Sequence, residues 1–338
     1  MRAAAVRWAM LGALTVAAGT AAAEPGGGAG PGSGPRPAPR TERGAEPGTG
    51  SAVERARLEL QPPGRPFKKL EIENPLGDVQ VEGHDKATIE IETRKQGPTE
   101  EALDRLHVTL ASNPDGTVRL TTTVDGGREL RPLPRGAVKI DLIVRAPRDA
   151  RIDAASIAGA LEVRNMDAGG ELDTASGRIQ VRNVSGELST HSMSGPTQLT
   201  QVFGSVDAQT LSAQIDLDSI GGEKLIASAT DGKIAGRRVR SRNVELTTVG
   251  GTIVLEGEVP LRGRLIIASV RGDVNVRMRG SGAIVIRARA AKVDLAGASP
   301  QAQPDGWVLA QFGPHTAVAP SLVELRSRVG NVSFAIIK

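Results

Sequence analysis

The sequence predicts an all-β protein. Its expected form is a parallel β-solenoid (β-helix) with coils of about 18–21 residues, behind an irregular N-terminal β cap with a short helix. Three observations predict this. Stretches of similar form recur at near-constant spacing, as in "LDTASGRIQVRNVSG" (172–186), "LSTHSMSGPTQLTQVFG" (188–204) and "VELTTVGGTIVLEG" (244–257). Apolar and polar residues alternate on both sides of a small residue in each stretch. Aromatic residues are only 2% of the chain and cysteine is absent, so a core must come from stacked Val, Ile, Leu and Ala rather than rings or disulfides.

The central small residues, or anchors, are Gly77, Gly159, Gly177, Gly195, Ala213, Gly232, Gly251, Gly272, Ala291, Gly313 and Gly330. From Gly159 onward the steps are 18, 18, 18, 19, 19, 21, 19, 22 and 17. A unit this short cannot bury its inner face alone; stacked units can, at roughly 4.8 Å per layer. Two and four residues after the anchor stand branched apolar residues such as Ile179 and Val181, with a polar residue such as Gln180 between them. That is a strand with one buried face. The same parity puts Ile253 inward and Val254 outward. Five residues before the anchor the column is largely apolar (Leu172, Leu246, Ile267); three before, it is small and often hydroxylated (Thr174, Ser192, Thr248). Those hydroxyls are placed to bond one another or the backbone at a corner. The anchor itself suits a turn needing positive φ or close backbone approach. No six-residue apolar period and no GGxGxD nonapeptide is present, so neither a hexapeptide helix nor a calcium ladder is expected.

Four segments follow. Residues 1–23 read as a signal peptide: Arg2 and Arg7 precede or flank an apolar run, Trp8 to Ala18, and Ala21-Ala22-Ala23 offers a cleavage site before Glu24. The apolar run is too short to span a bilayer well, so no transmembrane segment is expected after cleavage. Residues 24–64, dense in Gly and Pro, read as a disordered linker. Residues 65–158 read as an N-terminal cap and first coil. There "ATIEIET" (87–93) alternates as a strand, "GPTEEALDRL" (97–106) forms a short helix capped by Thr99, and residues 107–124 form a hairpin turning at 113–116. Residues 159–338 are the regular solenoid repeats.

"LEIENPLGDVQVEG", "VKIDLIVRAPRDARIDAASIAGALEV" and "LDTASGRIQVRNVSGEL" together resemble the bacterial putative-adhesin β-strand-repeat domain of unknown function, which is similar to the putative auto-transporter adhesin head (GIN) domain. The resemblance runs from about Arg65 to Lys338. It implies a β-solenoid and an exported location, in the periplasm, the cell envelope or secreted, and it implies no enzymatic residues. Ala213 and Ala291 depart from its glycine pattern.

Candidate chemistry is sparse. No HExxH and no metal-ligand pair is formed by His84, His107, His191 and His315; parity points His191 outward. No cofactor, catalytic residue or metal ligand is assigned. The alternative to an adhesin-like or scaffold module is a polysaccharide-active β-helix enzyme, a lyase or hydrolase, for which outward acids such as Asp216 and Asp218 are the available residues. Between Arg237 and Lys292 there are twelve basic residues and four acids. A basic strip of this kind fits anionic envelope polysaccharide or lipopolysaccharide. Its expected residues are Arg164, Arg182, Arg237, Arg277, Arg287 and Arg289. No nucleic acid partner is expected, because base-stacking aromatics are lacking. Oligomeric state is left open.

Overall fold

The computed structural model describes residues 40–45, 52–60, 67–125, 137–280, 282–313 and 320–337. The expected signal peptide, the first part of the expected linker, and His315 lie outside them. The described chain is all-β: 24 strands share one hydrogen-bonded sheet, with one short helix at Glu100–Asp104.

Its middle is a parallel ladder in which residues at equal offset from their anchors lie side by side. Leu161 pairs with Val79 and Ile179, Ile179 with Thr197, and Thr197 with Ile215. Ile215 then pairs with Ile234, Ile234 with Ile253, and Ile253 with Val274. Each is buried. Alternation along the strand Ile253–Glu258 leaves Ile253 0% exposed and Val254 37% exposed.

Alternation alone does not account for the long strands Ile179–Ser192, Thr197–Thr210, Ile215–Ala229 and Ile234–Thr248. Six residues past the anchors Gly159, Gly177, Gly195, Ala213 and Gly232 the backbone turns left-handed, at Asn165, Asn183, Gln201, Ser219 and Arg238, with φ between 52° and 60°. This breaks parity by one. The next residue (Met166, Val184, Val202, Ile220, Val239) is therefore buried, where a plain strand would expose it. Such a φ strains any residue but glycine by about 1–2 kcal/mol, and asparagine least. Neighbours along the column share the load, since the Asn183 amide donates to Asn165 at 2.8 Å and the Arg238 guanidinium donates to Ser219 at 2.9 Å.

Where the stacked anchors are glycine, it is for closeness rather than for positive φ. A Cβ on Gly177 would sit 1.9 Å from the carbonyl oxygen of Gly159, and one on Gly195 would sit 1.7 Å from that of Gly177. Three residues upstream, buried hydroxyls accept from the anchor N–H groups: Thr174 from Gly177 at 2.9 Å, Ser192 from Gly195 at 2.8 Å and Ser269 from Gly272 at 2.8 Å. Some also donate onward to the anchor carbonyl of the neighbouring repeat, as Ser269 does to Gly251 at 3.2 Å. Thr174→Val should therefore lower stability by about 1–3 kcal/mol, because a buried N–H loses its acceptor. Thr200→Val, at a half-buried position outside this column, should change little. Denaturant midpoints of the two variants check this; equal midpoints would refute the capping role.

Both ends depart from a uniform parallel ladder. Toward the N-terminus the strand Val79–His84 pairs in parallel with Lys139–Pro147, which runs antiparallel to Ile89–Gly97. Ile89–Gly97 pairs in turn with Ala52–Leu60, and Ala52–Leu60 with Arg40–Ala45, both antiparallel. On the other side Lys69–Asn74 pairs with Thr117–Val124, which forms a hairpin with Leu106–Ser112. The helix begins where expected, with the Ala102 N–H donating to Thr99 Oγ1 at 3.2 Å.

The expected linker thus ends too late. Residues 40–45 and 52–60 are strands of the sheet. "AVERARLEL" alternates, and its Glu54 is buried beneath Lys95 Nζ at 2.7 Å and Arg43 Nε at 2.6 Å. The Gly and Pro content of the preceding stretch hid this pattern.

At the C-terminus spatial order leaves sequence order. Val274 pairs with Val332, and Val332 with Val293. The last strand, Asn331–Ile336, therefore lies between Val274–Arg279 and Lys292–Ala296. Ala288, not Ile286, sits beside Leu325, a two-residue shift that preserves inward parity. Val308–Phe312 runs antiparallel to Ile284–Arg289, so Gly313, with φ of +79°, is not a stacked anchor.

Candidate functional site

The outward column four residues before the anchors runs Thr247, Ala268, Arg326 and, through the two-residue shift of its strand, ends at Arg289. Two arginines thus stand on adjacent strands beside two small residues. The corners at Thr248–Val249 and Ser269–Val270, with Ser327–Arg328 and Trp307, close this surface into a groove of about 640 Å³. Arg289, Arg326 and Arg328 are exposed. No ion pair holds any of the three among the described residues, and no lining residue is a carboxylate or histidine. Trp307 is half-buried and carries Arg287 over its ring at 4.0 Å.

An apolar ridge leads along the same corner. Two residues before their anchors, Ile157, Met193, Leu211, Val249 and Val270 are 59%, 58%, 51%, 42% and 37% exposed. A single exposed apolar residue needs no explanation; five in one column of stacked corners, with Ala175 and Thr230 set among them, make an apolar-rich edge. Val249 and Val270 carry it into the groove.

The expected basic strip is only partly brought together. Arg289 lines the groove and Arg287 borders it. Arg164 and Arg182 lie side by side, in a column that continues with Thr200 and Asp218. Arg237 faces Asp218 and Arg277 faces Glu256. Other arginines of the 237–292 stretch are paired with acids: Arg238 with Asp218, Arg240 with Glu258 at 2.8 Å and Arg271 with Asp231 at 3.1 Å. In a ladder with a step of 18 or 19, a residue's neighbour is one repeat away. A charge count along the chain therefore misses acids such as Asp218 and Asp231. Arg326 and Arg328 were not expected at this site; only the placement of the strand Ser321–Ser327 between Arg264–Ser269 and Ile284–Arg289 brings them there, and no local signal announces it.

No family model matches the chain, and no curated protein matches it. Among solved structures it is similar to a "putative lipid binding protein" from Parabacteroides distasonis at 13% identity and TM-score 0.43, covering 83% of this chain and 96% of that one. It is also similar to a "putative adhesin" from Bacteroides fragilis at 13% identity and TM-score 0.37, covering 83% and 97%. A "putative adhesin" from Parabacteroides merdae gives 11% and 0.39, covering 83% and 96%. Likeness at this level carries no inference about ligand or activity.

Proposed function

We propose that the chain is an exported, non-enzymatic binding module whose parallel repeats wind as a solenoid, and that its groove and ridge take an anionic amphiphile of the lipopolysaccharide type. One observation carries the reading: three arginines without carboxylate partners meet a tryptophan and the end of an apolar ridge. Arginine forks suit phosphate and carboxylate groups, a tryptophan face suits a sugar ring, and the ridge suits acyl chains. Hydrolysis of a glycosidic bond calls for a pair of carboxyl groups, and none lines the groove. Export rests on the residues of 1–23. No helix among the described residues is long and apolar enough to cross a membrane.

The test is titration with lipopolysaccharide and, separately, with its delipidated polysaccharide, read by Trp307 fluorescence against a Trp307→Phe blank. Reversing Arg289, Arg326 and Arg328 to Glu should weaken lipopolysaccharide binding at least tenfold at ~0.15 M salt, where exposed charges are screened beyond about 8 Å. Met193→Ser with Leu211→Ser should weaken it too, while Arg237→Glu with Arg277→Glu should not. Equal binding of the delipidated polymer would reduce the reading to a saccharide site. Equal loss from both arginine sets would remove the groove from it altogether.

A further inference from the structure

A second cluster lies away from the groove, on the outward face of the strands Gly170–Thr174 and Ile179–Ser192. Asp173 pairs directly with His191, and Glu171 with Ser189. Glu171 and Asp173 are two residues apart on one strand, so both side chains leave the same face. Ligand atoms of Glu171, Asp173 and His191 all lie within 4.8 Å of one another. The imidazole Nε2 of His191 is held 2.9 Å from the Ser189 hydroxyl, which fixes the ring.

The charges around this cluster are unbalanced. One strand over, Lys69 bridges Glu71 at 2.9 Å and Asp153 at 2.6 Å, Arg119 reaches Glu71 at 2.7 Å, and Arg151 reaches Asp153 at 3.1 Å. That network stops at Asp153. Among the described residues no lysine or arginine forms an ion pair with Glu171 or Asp173, and both are half-buried or exposed on a rigid sheet.

We propose that Glu171, Asp173 and His191 bind one first-row divalent transition ion of the zinc type. One imidazole with two carboxylates is a nitrogen–oxygen donor set that favours zinc, nickel or copper over calcium, which takes oxygen donors in larger number. Donors around tetrahedral zinc are about 3.3 Å apart, given bonds of about 2.0–2.1 Å. Metal binding would draw the three donors from within 4.8 Å of one another to that spacing. The Ser189–His191 contact supplies the outer-shell support that metal-binding histidines need. Stacking keeps the donors in place, because they come from neighbouring rungs of one ladder rather than from loops.

Isothermal titration of the whole chain with Zn²⁺ at pH 7.5 tests this, with Ca²⁺ and Mg²⁺ as comparison ions. One Zn²⁺ should bind per chain. His191→Ala and Glu171→Gln should each weaken binding at least tenfold, and His107→Ala, at an exposed site on another strand, should leave it unchanged. All three positions face outward, so melting curves without metal should coincide, separating loss of a ligand from loss of fold. No Zn²⁺ binding by the unmutated chain would overturn the proposal. So would binding that survives His191→Ala and Glu171→Gln together, or binding of Ca²⁺ as tight as that of Zn²⁺.

Discussion

Ile253→Asp is expected to destabilise the chain by several kcal/mol, and Val254→Asp by no more than about 1 kcal/mol. The two residues are adjacent, both branched and both apolar. Ile253 is fully buried between Ile234 and Val274, so an aspartate there removes a packed side chain and either strands a charge or forces protonation. Val254 lies between Ala235 and Asn275 with over a third of its surface in solvent. That column also holds Glu162 and Asp216. Paired denaturant midpoints read the difference. Equal shifts would mean that the strand is out of register by one residue, with every inward and outward assignment on it reversed.

The second large effect comes from the smallest change. Gly195→Ala should cost about 2–4 kcal/mol, the range of a clash that packed backbone must absorb. The added carbon would meet the carbonyl oxygen of Gly177 at 1.7 Å, and neither group ends a flexible side chain. The ladder would have to part locally, pulling on the Ser192 hydroxyl that bonds both the N–H and the carbonyl of Gly195 at 2.8 Å. Gly297→Ala is the contrast: its φ is +82°, yet the nearest atom to a new Cβ is 3.9 Å away. It should lose about 1–2 kcal/mol through backbone strain alone. If Gly195→Ala proves the milder of the two, close approach is not what selects glycine at the anchors.

Most of the ladder was legible because its determinants are local. The alternation around each anchor specifies which side faces in, and the near-constant step specifies which residues meet. The parity break at Asn165, Asn183 and Gln201 was not legible, because no column of glycines announces a left-handed residue there. Strand order at the C-terminus was not legible for a deeper reason. The trailing strands at Val274, Val293 and Val332 present similar branched residues, so their sequences do not say which stacks on which. The groove inherits that gap, since Arg289 and Arg326 become neighbours only through that order. Strand Ala52–Leu60 was obscured by composition: its alternation is clear, but it follows a Gly- and Pro-rich run and is interrupted from the cap by Pro62 and Pro63.

The placement of the last strand also bears on how the chain is made. From Leu161–Met166 through Val274–Arg279 each new rung can dock on the one before as it emerges. The strands Ile284–Arg289 and Lys292–Ala296 cannot: their parallel partners are Ser321–Ser327 and Asn331–Ile336, which are synthesised later. Until those residues arrive, Arg264–Ser269 and Val274–Arg279 remain bare edges, able to pair with any passing strand. Assembly is therefore progressive for most of the molecule and all-or-none at its end. The final residues act as a keystone, and a chain cut short there would carry its most adhesive surface uncovered.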